Sequence, residues 1–147
     1  MSWDTYLDTG FALLGGFLSW LYGGFDEALK VLLVMMALDY VTGLLKGAYL
    51  KRWCSDIGFH GIARKVYMLI FVGIANIIGK EIFPQSEVWS EALRDAVICF
   101  YIANEGLSIL ENAIEMDTPV PEKIKELFLS WHKKQLISKN SPQDEED

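Results

Sequence analysis

The chain has little of what active-site chemistry requires. Its 147 residues include two cysteines and two histidines. Cys54 and Cys99 lie far apart without metal-ligand spacing, so a free buried thiol is the expected state. His60 and His132 are isolated, and no Cys or carboxylate cluster has the spacing of a metal site. Ser108 lacks the surroundings of a nucleophile elbow. Gly58 and Gly61 are not followed by the Lys-Ser/Thr pair of a phosphate loop. Neither an enzyme nor a cofactor or metal protein is therefore expected. There is no basic stripe for nucleic acid. Met1 to Tyr6 contain no Lys or Arg, and no clean small-x-small site follows the first apolar run, which argues against a cleaved signal peptide.

What the sequence does have is long apolar stretches. Hydrophobic residues make up 52% of the chain, and mean hydropathy is +0.22. Charge gathers at the ends and in short patches. Of the net charge of -7, four negatives come from Asp144, Glu145, Glu146 and Asp147. A chain of this length fits one domain, and a small water-soluble domain has too little interior to cover such stretches.

Four segments stand out. The first, Phe11 to Tyr22, is short and diluted by Gly15, Gly16 and Ser19. It reaches the roughly 20 residues of a span only by recruiting Tyr6 to Gly10, and otherwise reads as an interfacial amphipathic helix. The second, Ala28 to Leu50, is long enough but holds Asp39 near its middle, with Lys30 and Lys46 able to snorkel toward opposite interfaces. The third, Val66 to Phe83, is the cleanest span and is ended by Pro84. The fourth, Ala92 to Ile114, is apolar on one side and polar on the other, as a bundle helix or an interfacial helix would be. The fold expected is an all-α membrane protein with three or four transmembrane helices in residues 1–118.

Basic residues give a direction. Lys46, Lys51, Arg52, Arg64 and Lys65 flank the link between segments two and three, and five lysines follow segment four. The opposite connections carry Asp26, Glu27, Glu81, Glu87 and Glu91, with Lys80 and Arg94 weakening the contrast. Excess Lys and Arg mark the cytoplasmic side, so Lys51, Arg52, Arg64 and Lys65 read as topology and headgroup anchors, with the C-terminus cytoplasmic. Trp20, Tyr22, Tyr49, Trp53 and Trp89 stand at segment ends, as an interfacial aromatic belt requires.

Pro119 and Pro121 break the chain. Ile124, Leu127, Phe128 and Trp131 then recur at helical spacing. Residues 119–137 read as a short amphipathic helix on the membrane surface or against the bundle, and 138–147 as a disordered acidic tail.

A charge at mid-span must face protein, pair or meet water, so Asp39 is the most informative residue. It marks either an oligomer or pore contact, or a helix shifted so that Asp39 pairs with a loop Lys or Arg. Thr42, Gly43 and Gly47 follow on nearly the same face, and Gly43-x-x-x-Gly47 allows close backbone approach. Glu105, Ser108 and Asn112 form a second stripe, extended by Asn104 and Glu111, to which Asn76 could bond. The stripe reads equally as a hydrated network or as a water-facing side. Gly58 and Gly61 point to tight turns or a short re-entry before segment three.

The stretches Asp39-Tyr-Val-Thr-Gly-Leu-Leu-Lys-Gly47, Ser55-Asp-Ile-Gly-Phe-His-Gly-Ile-Ala-Arg-Lys65 and Tyr101-Ile-Ala-Asn-Glu-Gly-Leu-Ser-Ile-Leu-Glu-Asn-Ala113, followed by Pro119 and Pro121, resemble the toxin-secretion and phage-lysis holin family over roughly Val31 to Leu136. Asp117 stands where that family often has glycine. The resemblance implies a protein that accumulates in the bacterial cytoplasmic membrane, self-associates and opens lesions. An endolysin or secreted toxin would be its functional partner, with no direct binding required. It also implies three spans in many members, and an assembly role for Asp39, Gly43, Gly47 and the Glu105 to Asn112 stripe. A small membrane scaffold or narrow ion-conducting accessory protein is the reading from a different class.

Overall fold

With no water to satisfy exposed amides, a spanning segment must pair its backbone within itself, and each apolar stretch here winds into one helix. The computed structural model describes residues 3–51 and 55–130, with 3, 4 and 55–58 described by backbone alone. Its helices are α1 (Trp3–Tyr22), α2 (Glu27–Tyr49), α3 (Ser55–Ile82) and α4 (Glu87–Glu115), with a short α5 over 122–130. No strand occurs among the described residues. Three of these helices are long and apolar enough to cross a bilayer: α2, α3 from Phe59 to Ile82, and α4. α1 has 20 residues but falls outside that set. Asp8 and the glycines at 10, 15 and 16 dilute it.

Local chemistry sets the helix ends. Gly23 and Gly24 take positive φ values of 74° and 108°, and the Gly24 amide returns to the Ser19 carbonyl, which closes α1 with a left-handed cap. Asp26 caps α2, its Oδ1 accepting from the Leu29 amide at 2.9 Å. At the end of α4, Asp117 adopts φ 52°, and the Thr118 amide bonds the Ala113 carbonyl. That left-handed position is the one where relatives were expected to carry glycine, and Asp is among the few other residues that tolerate it.

α3 starts eleven residues earlier than the sequence pattern indicated. Gly58 and Gly61 lie inside it, not in a turn or re-entry. A Cβ on Gly61 would meet nothing closer than Tyr40 at 4.0 Å, so this glycine reflects no tight backbone feature. Helix continuity lifts Lys65 into the body of α3.

α4 is the hub. It packs along both α2 and α3, which touch each other little, and α1 packs chiefly on α3. Facing pairs fix the directions. Asp26 and Asp39 of the α2 side meet Arg94 and Asn112 of α4, so α2 and α4 run parallel. Lys65 meets Glu105, and Gly79 meets Ser90, so α3 runs antiparallel to α4. Gly79 is the closest approach: a Cβ there would fall 2.6 Å from the Ser90 carbonyl oxygen. Leu29, Leu32, Met36, Met68, Val72 and Ile98 form the buried apolar core.

The outer surface is apolar: Val34, Leu38, Val41, Ile70, Phe71, Ile74 and Phe100 are all exposed. Beyond its last turn α1 projects from the bundle, with Phe11, Leu13, Leu14 and Phe17 uncovered. Cys99, expected as a buried thiol, is free but exposed on this surface, and Cys54 lies outside the described residues. α5 rests on α4 through the buried Phe128, beside Leu107 and Leu110. Trp131 and the acidic tail lie outside the described residues.

Candidate functional site

Two polar layers bracket the apolar core. In the first, each spanning helix contributes at least one charged residue. Asp39 of α2 and Glu105 of α4 are 5% and 0% exposed, and Lys65 of α3 lies between them. The Lys65 ammonium donates to Asp39 Oδ2 at 2.8 Å and to Glu105 Oε2 at 2.5 Å. Asn112 Nδ2 donates to Asp39 Oδ1 at 3.3 Å and to Thr42 Oγ1 at 3.1 Å, while the Thr42 hydroxyl donates to the Asp39 carbonyl. Ser108 lies beside the same carboxylate, and Arg64, half exposed, sits 3.6 Å from Asp39 Oδ2. Glu105 Oε1 is the buried side-chain oxygen without a partner among the described residues. Charges buried in a low-dielectric interior persist only when paired and hydrogen-bonded, so these contacts tie the three helices together.

The second layer fastens α1 and the α1–α2 elbow. Arg94 is 3% exposed. Its Nε donates to the Tyr22 carbonyl and its Nη1 to Asp26 Oδ2, both at 2.5 Å, and Nη1 also reaches Asp95 at 3.0 Å. Asn76 Nδ2 donates to the Trp20 and Leu21 carbonyls at 3.1 and 2.9 Å. The last carbonyls of a helix have no partner within it, and here two bundle side chains supply the donors. The hydrogen bond from Arg94 is the main influence holding the Asp26 carboxyl below the usual carboxylate range. Arg94 and Glu105 are eleven residues apart on α4, which separates the layers by about 16 Å at 1.5 Å per residue.

Of the residues singled out in the sequence, Asp39, Thr42, Glu105, Ser108 and Asn112 come together in the first layer. Gly43 adjoins it, a Cβ there lying 3.8 Å from Asn112 Nδ2, and Gly47 is half-buried. Asn76 does not bond the Glu105 stripe; it belongs to the other layer because helical rise carries it eleven residues past Lys65. Asn104 faces outward. Lys51 is exposed at the end of α2, and Arg52 lies outside the described residues. Lys65 turns inward instead of toward headgroups.

The alternative that Asp39 pairs with a Lys or Arg of the link is met by Lys65 and Arg64, whereas the bond from Lys65 to Glu105, the roles of Arg94 and Asp26, and the contact at Gly79 were missed. Charge parity was the available signal: two carboxylates at mid-span require a cation at matching depth, and Lys65 begins the third apolar run. Among the described residues, no group of three or more His, Cys, Asp or Glu could hold a metal ion.

Apolar outside, ionic inside, with three helices of spanning length, the chain is a multi-pass helical membrane protein built around polar interhelical contacts. Its sequence matches the profile of the bacteriophage holin family over residues 16–133, and the chain belongs to that family. It is 36% identical to an uncharacterized 14.9 kDa protein of Clostridium perfringens from the nagH 3′ region, over 88% of this chain and 95% of that one. An uncharacterized protein of Listeria monocytogenes is 40% identical over 89% of this chain and 90% of its own length. A protein of Bacillus phage phi105 named probable holin is 35% identical over 65% of this chain and 67% of its own. No solved structure matches the chain. Membership in that family places this chain in a holin-like, pore-forming class.

Proposed function

We propose that the chain is a holin that accumulates in the bacterial cytoplasmic membrane, oligomerises above a threshold density and opens lesions that release an endolysin or a secreted toxin. The observation that carries this reading is the Asp39–Lys65–Glu105 cluster, a charged contact among three helices whose outer faces are apolar. Paired within one copy, these groups are hidden from lipid; re-paired between copies, the same side chains can line water. Membership in the holin family and the phage relative's name support the lytic role. Lys46 and Lys51 at the end of α2, with Lys123 and Lys125 after α4, support a cytoplasmic C-terminus. Lipids and further copies of the chain are its direct partners, and the endolysin or toxin need only pass.

Inducible expression in bacteria carrying a membrane-potential dye tests the reading. A delayed, sudden collapse followed by lysis is expected. Slow selective permeation would make the chain a narrow channel, and an intact potential would make it a scaffold; either result rejects the holin reading.

A further inference from the structure

We propose that one face of α4 is the seam along which two copies pair in parallel, with Asn104 bonding its counterpart at the centre. This rests on the self-association proposed above and names the surface that performs it.

Three observations converge. Leu93, Val97, Phe100, Asn104, Leu107 and Glu111 follow one another at alternating steps of four and three, the spacing of a coiled-coil seam. This line is offset from the face that packs on α2 and α3: Phe100 is 66% and Leu107 40% exposed, and Leu93, Val97 and Glu111 are half-buried at its edge. Asn104 itself is exposed, and none of the described residues hydrogen-bonds its amide.

Depth makes that amide informative. α4 runs from Glu87 to Glu115, so its midpoint is Tyr101, and Asn104 lies about 4.5 Å beyond it at 1.5 Å per residue. That is well within a hydrocarbon layer about 30 Å thick, where an unpaired amide is costly. A carboxamide carries both donors and an acceptor, so two of them related by a two-fold axis satisfy each other. Apolar side chains alone have no drive to associate in lipid, whereas a single Asn at a seam position fixes register and partner. A second copy of this chain, parallel and in register, therefore completes the surface. The α5 edge at Ile124 and Leu127 borders the seam beside Leu107 and limits its extent on that side.

The test uses the full-length chain carrying Cys54→Ser and Cys99→Ser in phosphatidylglycerol–phosphatidylethanolamine vesicles. Single cysteines replace Phe100, Leu107 or, as a control on the α3 surface, Ile74. Mild oxidation should give disulfide dimers at 100 and 107 and none at 74. Asn104→Leu should weaken dimerisation about 3- to 30-fold, with Asn104→Gln restoring most of it. Dimers at 74 equal to those at 100, or dimerisation unchanged by Asn104→Leu, would overturn the seam. So would labelling of Asn104→Cys by a membrane-impermeant thiol reagent at the rate of a loop cysteine, because that face would then line water. If dimers form as expected but the membrane potential of expressing cells never falls, the holin reading fails and the seam stands. If lysis proceeds with only Ile74-side dimers, the seam fails and the holin reading stands.

Discussion

Lys65 and Glu105 meet at 2.5 Å across the α3–α4 interface, and the carboxylate in that pair is wholly excluded from the surface. The consequence is an asymmetry between removing the cation and removing the acid.

Lys65→Met leaves the buried Glu105 without a cation and Asp39 with only the half-exposed Arg64 at 3.6 Å. A buried charge stripped of its partner costs about 3–5 kcal/mol, so this variant should lose helix packing most severely. Resistance of the detergent-solubilised chain to protease and to denaturant measures it. Adding Asp39→Asn and Glu105→Gln to the same chain should recover much of the loss, and no recovery would mean that the charges are not what holds the trio.

Glu105→Gln is the gentle counterpart. Its amide oxygen can still accept from Lys65, and Asp39 keeps the ammonium paired, so the cost should be about 1–2 kcal/mol. A penalty as large as that of Lys65→Met would contradict the geometry.

Asp26→Asn separates two roles of one residue. Asn caps a helix as well as Asp, so the bond to the Leu29 amide survives while the ion pair with Arg94 goes. The folded-state carboxyl is held low, so its contribution is fully present above the unfolded value and disappears as pH falls through the folded one. Acidification in that window should loosen α1 from α3 in the parent chain. A disulfide between Leu21→Cys and Gly73→Cys, whose sites adjoin, reports the contact. In Asp26→Asn that acid step should shrink.

Glycine substitutions divide by distance. Gly79→Ala places a Cβ 2.6 Å from a backbone oxygen, which must move, whereas Gly43→Ala adds an ordinary contact at 3.8 Å. The first should cost roughly 1–3 kcal/mol by overpacking and the second well under 1 kcal/mol. Thermal stability in detergent ranks them, and the reverse order would refute the α3–α4 crossing.

Much of the fold was legible because lipid imposes a strong rule: long apolar runs become helices, and Asp39 and Glu105 within them must find company. Side-chain partners were less legible. Lys65 looked like a headgroup anchor because Gly58 and Gly61 read as loop, and glycine in a well-supported helix costs only about 1 kcal/mol. Asn76 was matched to the wrong stripe, since its depth depends on where α3 begins. Arg94 resembled a flanking charge in a connection; its burial arises only once the carbonyls at the end of α1 converge on it. The closest helix contact fell at Gly79, away from the paired glycines of α2, because spacing alone does not say which face another helix covers.

The apolar plug of Leu29, Leu32, Met36, Met68, Val72 and Ile98 between the two ionic layers has an electrical consequence. Within one copy these six buried apolar side chains separate the two layers, so an ion would have to leave its polar partners to pass from one to the other. Under the holin proposal, conduction would open along boundaries where copies meet, so cells would tolerate the protein while it is sparse, and toxicity, read as the loss of colony-forming units against inducer dose, should rise with a steep power of its dosage.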